Sequence, residues 1–142
     1  MSFTAWDLRT SSAHPLRHAV LNVIRRMADY RADQAERAAT AEARDLSDSG
    51  SREELRNGTN YLLTSLSLFT THEPCVMCSM ALIHSRVKEV FYLHPMPQTG
   101  GCGGMACLPT LKGVNHRFGI CQWRGTDRGT DMMVHMDGSI DA

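Results

Sequence analysis

Three side chains of zinc-ligand type stand in two short segments of this 142-residue chain, and they constrain its fold more than any other feature. His18 lies in the first segment, and the second reads Pro74-Cys75-Val76-Met77-Cys78. Zinc binds imidazole nitrogen and thiolate sulfur at about 2.0–2.3 Å, and a site with three protein ligands leaves a fourth position open. A zinc site built from these residues requires a fold that brings Cys75 back to His18 across 57 positions of sequence.

Composition is typical of one globular domain and argues against a membrane or secreted protein. The hydrophobic content of 42% suffices for one modest core, and Lys plus Arg equals Asp plus Glu at 15 each. A neutral chain has no strong overall field for nucleic acid or anionic lipid. No apolar run approaches the about 18 residues of a membrane span, and the polar N-terminus lacks a signal-peptide core. Because the odd count of five Cys includes a Cys-x-x-Cys, we expect an intracellular protein of the cytoplasm or nucleus.

The first half of the chain is predicted to contain one strand and one helix. Residues 3–10 have the aromatic and apolar spacing of a short strand. His14-Pro15 follows a pair of serines and suits the first turn of a helix, so a helix is predicted to start there. Apolar residues then recur at helical spacing: Leu16, Val20, Val23, Ile24 and Met27. Residues 31–60 are polar, which favours a solvated helical extension followed by a flexible loop.

The second half is predicted to alternate strands with one buried helix. Residues 61–71 form a strand that leads to the Cys pair, and residues 75–85 form a mostly apolar helix. Further strands are predicted at 87–93 and 116–123, separated by a stretch at 95–104 that Pro and Gly keep irregular. A helix N-terminus at Cys75 carries partial positive charge, which favours the thiolate form of ligand cysteines.

The metal ligands have alternatives in the sequence. A Cys-x-x-Cys alone is also found in redox pairs and in structural zinc sites. Cys102 and Cys107 could complete a four-Cys structural site with Cys75 and Cys78, and His18 would then be an ordinary helix residue. Cys121 is most simply a small core side chain. Four further histidines are interpreted as structural or surface residues, with His116 the best candidate for an exception: His84, His94, His116 and His135.

The same segments carry most of the signature of the zinc-dependent nucleobase deaminases. That signature is His-x-Glu followed by Pro-Cys-x-x-Cys, in which the Glu transfers protons and does not bind the metal. This chain has His18-Ala19-Val20, so Val20 stands where the Glu is required. General acid–base assistance is worth about 10²–10⁴ in rate, and a valine provides none. The glutamate of the signature lies two residues after the metal-binding histidine, whereas Glu73 lies directly before Pro74. We therefore do not expect Glu73 to replace the missing proton-transferring glutamate.

The chain is similar to the non-catalytic subunits of the eukaryotic heterodimeric tRNA adenosine deaminases, which form inosine at the wobble position of the anticodon. The resemblance covers about residues 4–30 and 59–124. It rests on the block from His14 to Val20, the block from Tyr61 through the Cys pair to Val87, and Val114-Asn-His-Arg-Phe118. It implies a deaminase domain over residues 1–124, an unassigned tail at 125–142, and His18, Cys75 and Cys78 as zinc ligands.

The resemblance also implies a fold and a partner. The fold is a cytidine deaminase-like three-layer α/β/α arrangement with a mixed sheet, lacking the first helix and strand of the family. The partner is a catalytic homologue, and tRNA binds through the complex. A local basic patch is a candidate guide for the anticodon arm: Arg17, Arg25, Arg26, Arg86 and Arg117. Two other functions stay open, namely a catalytic deaminase of a free nucleoside or nucleotide and a purely structural zinc-binding module.

Overall fold

The computed structural model describes residues 2–42 and 62–123. The chain divides into two compact units, Met1–Thr64 and Ser65–Ala142. No helix within the two described stretches is long and apolar enough to cross a membrane.

The N-terminal segment of the first unit is held by side chains of the helix that follows it. Asn22 is buried, and its amide nitrogen donates to the carbonyl oxygens of Trp6 and Arg17, each at 2.9 Å. The Arg26 guanidinium donates to the Thr4 carbonyl. The strand predicted at residues 3–10 is therefore wrong. A strand forms its backbone hydrogen bonds with a neighbouring strand. In this segment, side chains of the following helix donate to two of the backbone carbonyls instead.

The helix of the first unit, α1, spans Ala19–Glu42 and begins four residues later than predicted. Turns occupy most of residues 9–16, and Ala13 has a left-handed backbone with φ 49°, which a helix cannot include. Val20 and Met27 are buried as predicted, but Leu16 precedes the helix and is 53% exposed. The polar extension is helical to Glu42, as predicted. The predicted loop lies largely outside the described residues.

The second unit is built on three parallel strands, β1 (Ser67–His72), β2 (Glu89–His94) and β3 (Gly119–Gln122), in the order β1-β2-β3. Helix α2 (Val76–His84) connects β1 to β2, and a short 3₁₀ helix at Leu108–Thr110 follows. Parallel neighbours need such a crossover because a tight turn cannot connect their ends.

The core of this unit lies between α2 and the central strand β2. Leu82 of α2 and Val90 of β2 are completely buried, and Val87 between them is 1% exposed. Leu68 of β1 pairs in register with Val90, which pairs in turn with Ile120 of β3. Full burial of aliphatic side chains of this kind contributes about 1.5–3 kcal/mol each.

The structure confirms the predicted α2 and the three strands of this unit, with bounds shifted by a few residues. The largest shift is in β1, which begins at Ser67 because residues 62–65 form a turn that ends at Ser65 with φ 64°. All three described strands are parallel. The antiparallel part of the expected mixed sheet is thus not found among residues 2–42 and 62–123. The predicted tail at 125–142 lies outside the described residues.

Candidate metal centre

His18 is the last residue before α1. Its carbonyl accepts the hydrogen bond of the Asn22 amide at 2.9 Å, which is the first helical hydrogen bond of α1. His18 lies at this point because the turns ahead of it end at Leu16 and the helix starts at Ala19. His18 is half-buried.

Cys75 and Cys78 occupy the first turn of α2. Cys75 is the N-cap residue, with extended backbone at φ −63° and ψ 168°, and its carbonyl accepts from the Ser79 amide at 2.8 Å. Cys78 is 2% exposed. The chain at 99–101 lies alongside this turn, since Val76 donates to the Thr99 carbonyl at 3.0 Å and Gly101 donates to the Pro74 carbonyl at 2.9 Å. The first turn of α2 is therefore held from outside the helix.

One possible ligand atom from each of His18, Cys75 and Cys78 lies within 4.8 Å of the other two. In a tetrahedral zinc site, bond lengths of about 2.0–2.3 Å place ligand atoms about 3.5–3.8 Å apart. The upper bound of 4.8 Å is compatible with that requirement, and one imidazole with two thiols is a donor set that zinc favours. These three residues could therefore hold a metal ion.

Cys102 and Cys107 do not join this group. In the described part of the chain, His18, Cys75 and Cys78 are the one group of three or more His, Cys, Asp or Glu residues with ligand atoms close enough for a metal ion. The Cys102 thiol lies instead 3.5 Å from the Ser79 hydroxyl. The alternative of a four-Cys site is thus not supported.

Three histidines outside the group make other contacts. His116 Nε2 lies 2.6 Å from the Val87 carbonyl oxygen, which ties the segment before β3 to the end of the α2–β2 connection. The rings of His72 and His94 face each other on β1 and β2 at 5.2 Å. Desolvation of His72, and secondly the nearby His94, lower the pKa of His72. The structural interpretation of His116 and His94 agrees with these contacts.

Val20 is the second residue of α1 and is 6% exposed. It lies two positions after His18, where the deaminase signature requires a glutamate. A buried isopropyl group neither accepts nor donates a proton. The position is thus occupied by an apolar packing residue.

Glu73 is a buried structural carboxylate. It is 3% exposed, and it accepts three backbone hydrogen bonds, from Met96 at 2.9 Å, Cys102 at 2.8 Å and Gly104 at 2.9 Å. Its oxygens are thus directed at the 96–104 loop and occupied there, in agreement with the expectation that Glu73 is no substitute for the missing glutamate. Sequence reasoning missed this structural role, although a glutamate before Pro74 and a glycine cluster at 100–104 were both visible.

Two glycines let the backbone approach that carboxylate. A Cβ added at Gly100 would overlap the Glu73 carboxyl group, and one at Gly104 would overlap the Met96 carbonyl oxygen. Neither position has room for a side chain. The glycines and Glu73 therefore form one packing unit beside the first turn of α2.

Part of the candidate basic patch is engaged within the fold. Arg26 donates to the Thr4 carbonyl and Arg17 is half-buried, whereas Arg25 and Arg117 are exposed. Some of its charge is thus used within the fold.

A parallel α/β unit with Pro-Cys-x-x-Cys at the start of a helix, together with a histidine at the start of another, defines the class of zinc-deaminase domains. Residues 1–94 match the family described as "Cytidine and deoxycytidylate deaminase zinc-binding region". The chain belongs to this family.

Two relatives of known name support the resemblance to tRNA deaminase subunits. The chain is 33% identical over 112 residues to "tRNA-specific adenosine deaminase subunit tad3" of Schizosaccharomyces pombe, covering 79% of this chain and 31% of that protein. It is 36% identical over 120 residues to "Probable inactive tRNA-specific adenosine deaminase-like protein 3" of Mus musculus, covering 78% and 34%. The chain thus spans about a third of the length of these two relatives.

A solved structure shares the fold. It comes from studies of A-to-I editing by tRNA:A34 deaminases at the wobble position, and it aligns with a TM-score of 0.54 at 18% identity. The alignment covers 82% of this chain and 69% of that one. The α/β deaminase fold predicted from the sequence is therefore confirmed.

Proposed function

We propose that this chain is a zinc-binding, catalytically deficient subunit of a tRNA adenosine-to-inosine deaminase. The observation that carries the proposal is the buried Val20 beside a complete set of metal-ligand side chains. In a deaminase with the full signature, zinc activates the attacking water and the glutamate moves protons. Here the apolar Val20 stands at the position of the proton-transferring glutamate, and Glu73 is engaged by three backbone amides.

The zinc has a structural role in this proposal. His18 directly precedes α1, and Cys75 and Cys78 lie in the first turn of α2, so one ion would join the starts of two helices. Metal binding of this kind adds directly to the free energy of folding, because the unfolded chain has no preformed site. The donor set is kept for stability and not for chemistry.

The partner and substrate follow from the names of the relatives. A subunit without a proton-transferring residue requires a catalytic homologue, so we propose a heterodimer that binds tRNA and acts in the cytoplasm, the nucleus or both. Residues 1–124 form the deaminase domain in this proposal. The exposed Arg25 and Arg117 are candidates for contact with the RNA backbone, which is recognised mainly through its charge.

The test is inosine formation at the wobble position of a full-length tRNA. This chain is co-expressed with the catalytic deaminase homologue from the same source, and each protein alone is the control. Activity that needs both chains supports the proposal. Activity of the homologue that does not depend on this chain contradicts it, and ammonia release from a free nucleoside by this chain alone would indicate a catalytic deaminase.

Metal content is measured on the same preparations. The proposal predicts one zinc per copy of this chain, lost in His18→Ala and Cys75→Ala. Cys121→Ser is the matched control because Cys121 is an exposed thiol outside the metal group. Zinc that persists after His18→Ala but is lost on replacing Cys102 or Cys107, as well as in Cys75→Ala, would point to a structural four-Cys site.

A further inference from the structure

Cys102 and Cys107 face each other across a small hairpin formed by residues 101–108. They form an isolated antiparallel bridge. Two backbone hydrogen bonds enclose the pair, from Gly103 to the Ala106 carbonyl at 2.9 Å and from Leu108 to the Gly101 carbonyl at 3.0 Å. The two cysteines exchange no hydrogen bond in this pattern, so they are a non-hydrogen-bonded pair.

This backbone arrangement is the one that brings opposite side chains closest. In a non-hydrogen-bonded antiparallel pair the two Cα atoms lie about 4.5 Å apart. Disulfides form where Cα atoms are about 4.4–6.8 Å apart. The Cys107 thiol also lies 3.8 Å from the Cys102 carbonyl oxygen, directly over the backbone of its neighbour. A bond between the two sulfurs therefore needs side-chain rotation and little movement of the chain.

We propose that Cys102 and Cys107 form a reversible disulfide, which makes the 101–108 hairpin an oxidation-sensitive element. Both thiols are free in the reduced protein. The oxidant is a small-molecule disulfide such as glutathione disulfide. A first thiolate attacks one sulfur of the oxidant and releases one reduced thiol, and the second cysteine then attacks the mixed disulfide and releases the other. Two protein thiols become one disulfide, and two glutathione thiols are formed.

The two thiols differ in access. Cys107 is half-buried, while Cys102 is 3% exposed beneath the hairpin. Burial raises the pKa of the Cys102 thiol to about 11, against a smaller opposing effect of its contact with Ser79. Since the thiolate is the attacking species, Cys107 reacts first with the oxidant and Cys102 displaces the glutathione.

The bond would act on the packing unit around Glu73. The Cys102 and Gly104 amides of this hairpin both donate to the Glu73 carboxylate, two residues before Cys75. A disulfide that closes the hairpin holds these donors in place. In the reduced protein, the hairpin is held by its backbone hydrogen bonds and by the Glu73 carboxylate.

The experiment incubates the reduced, zinc-loaded full chain with excess glutathione disulfide, followed by acid quenching, alkylation and tryptic mapping. The sequence separates the cysteines conveniently. Residues 89–112 form one tryptic peptide with Cys102 and Cys107, residues 57–86 carry Cys75 and Cys78, and residues 118–124 carry Cys121. The expected result is that peptide 89–112 carries no alkyl group and is two hydrogens lighter than its free dithiol form, while peptide 57–86 is alkylated on both cysteines after the metal is removed in acid.

Two variants test the order of the steps, and Cys121→Ser is the matched control. Cys102→Ala is expected to retain a stable glutathione adduct on Cys107, and Cys107→Ser is expected to leave the Cys102 thiol reduced. Cys121→Ser is expected to form the disulfide as the wild type does. A wild-type peptide 89–112 that keeps both alkyl groups, or that accumulates a glutathione adduct on Cys107 without closing, would overturn the proposal.

Discussion

Replacing Glu73 with glutamine removes the charge that organises the loop beside α2 while keeping the shape of the side chain. The carboxylate accepts from Cys102 and Gly104 on one oxygen and from Met96 on the other. An amide has one acceptor oxygen and one donor group. The best orientation of Glu73→Gln therefore keeps the bonds from Cys102 and Gly104 and turns a donor toward the buried Met96 amide.

The magnitude follows from these three bonds. A buried amide without a partner costs about 1–3 kcal/mol, and a hydrogen bond to a charged acceptor exceeds a neutral one by about 1 kcal/mol. One lost and two weakened bonds together lower the free energy of unfolding by about 3–5 kcal/mol. This is a large part of the about 5–15 kcal/mol that stabilises a typical domain.

Urea unfolding followed by far-UV circular dichroism measures the effect. Glu89→Gln is the matched control, because it is the same substitution on β2 and its amide oxygen can still accept from the Ser67 hydroxyl. We expect a large fall in the unfolding midpoint for Glu73→Gln and little change for Glu89→Gln. Equal midpoints for Glu73→Gln and the wild type would refute the assignment of Glu73 as the organising carboxylate.

Three further predictions follow from the same contacts. Gly104→Ala should destabilise the protein by about 1–3 kcal/mol in thermal unfolding, because its Cβ overlaps the Met96 carbonyl, whereas Gly113→Ala, with open space around it, should not. Stability should fall as pH drops below about 6.5, because the pKa of His72 is lowered in the folded state and the unfolded chain therefore binds more protons there. His72→Gln should flatten that part of the pH profile, while the exposed His84→Gln should leave it unchanged. Removing zinc with a chelator should lower the thermal midpoint of the wild type but not of Cys75→Ala, and an unchanged wild-type midpoint would contradict the structural role of the metal.

Sequence patterns predicted the second unit better than the first for a physical reason. The second unit contains an apolar run in α2 and β-branched and aromatic residues in β2. These residue types by themselves indicate buried elements, so the local sequence pattern is sufficient to predict the helix and the strand. Residues 3–10 have strand-like spacing, but their carbonyls are held by Asn22 and Arg26, which lie 16 and 22 positions away from their partners. Such contacts leave no periodic trace in the sequence.

In the candidate site too, local motifs could be predicted from the sequence and long-range contacts could not. Cys75 and Cys78 could be placed from the sequence because a proline, two cysteines and an apolar helix occur in one short run. The three amides on Glu73 come from residues 23–31 positions later in the chain, and no motif predicts which backbone donors meet a given carboxylate. The start of α1 at Ala19 was likewise hidden, since it depends on the turns at residues 9–16.

The most direct test of the central claim uses the complex of this chain with its catalytic homologue, in which the homologue's own motif glutamate is replaced by alanine. Wobble inosine formation is measured in full-length tRNA, with the unmodified complex as reference. The account predicts complete loss of inosine, because Val20 cannot transfer protons at the position where the signature of this chain requires a glutamate. Inosine formed by this complex, but not by the altered homologue alone, would show that the site of this chain is catalytic and would contradict the account.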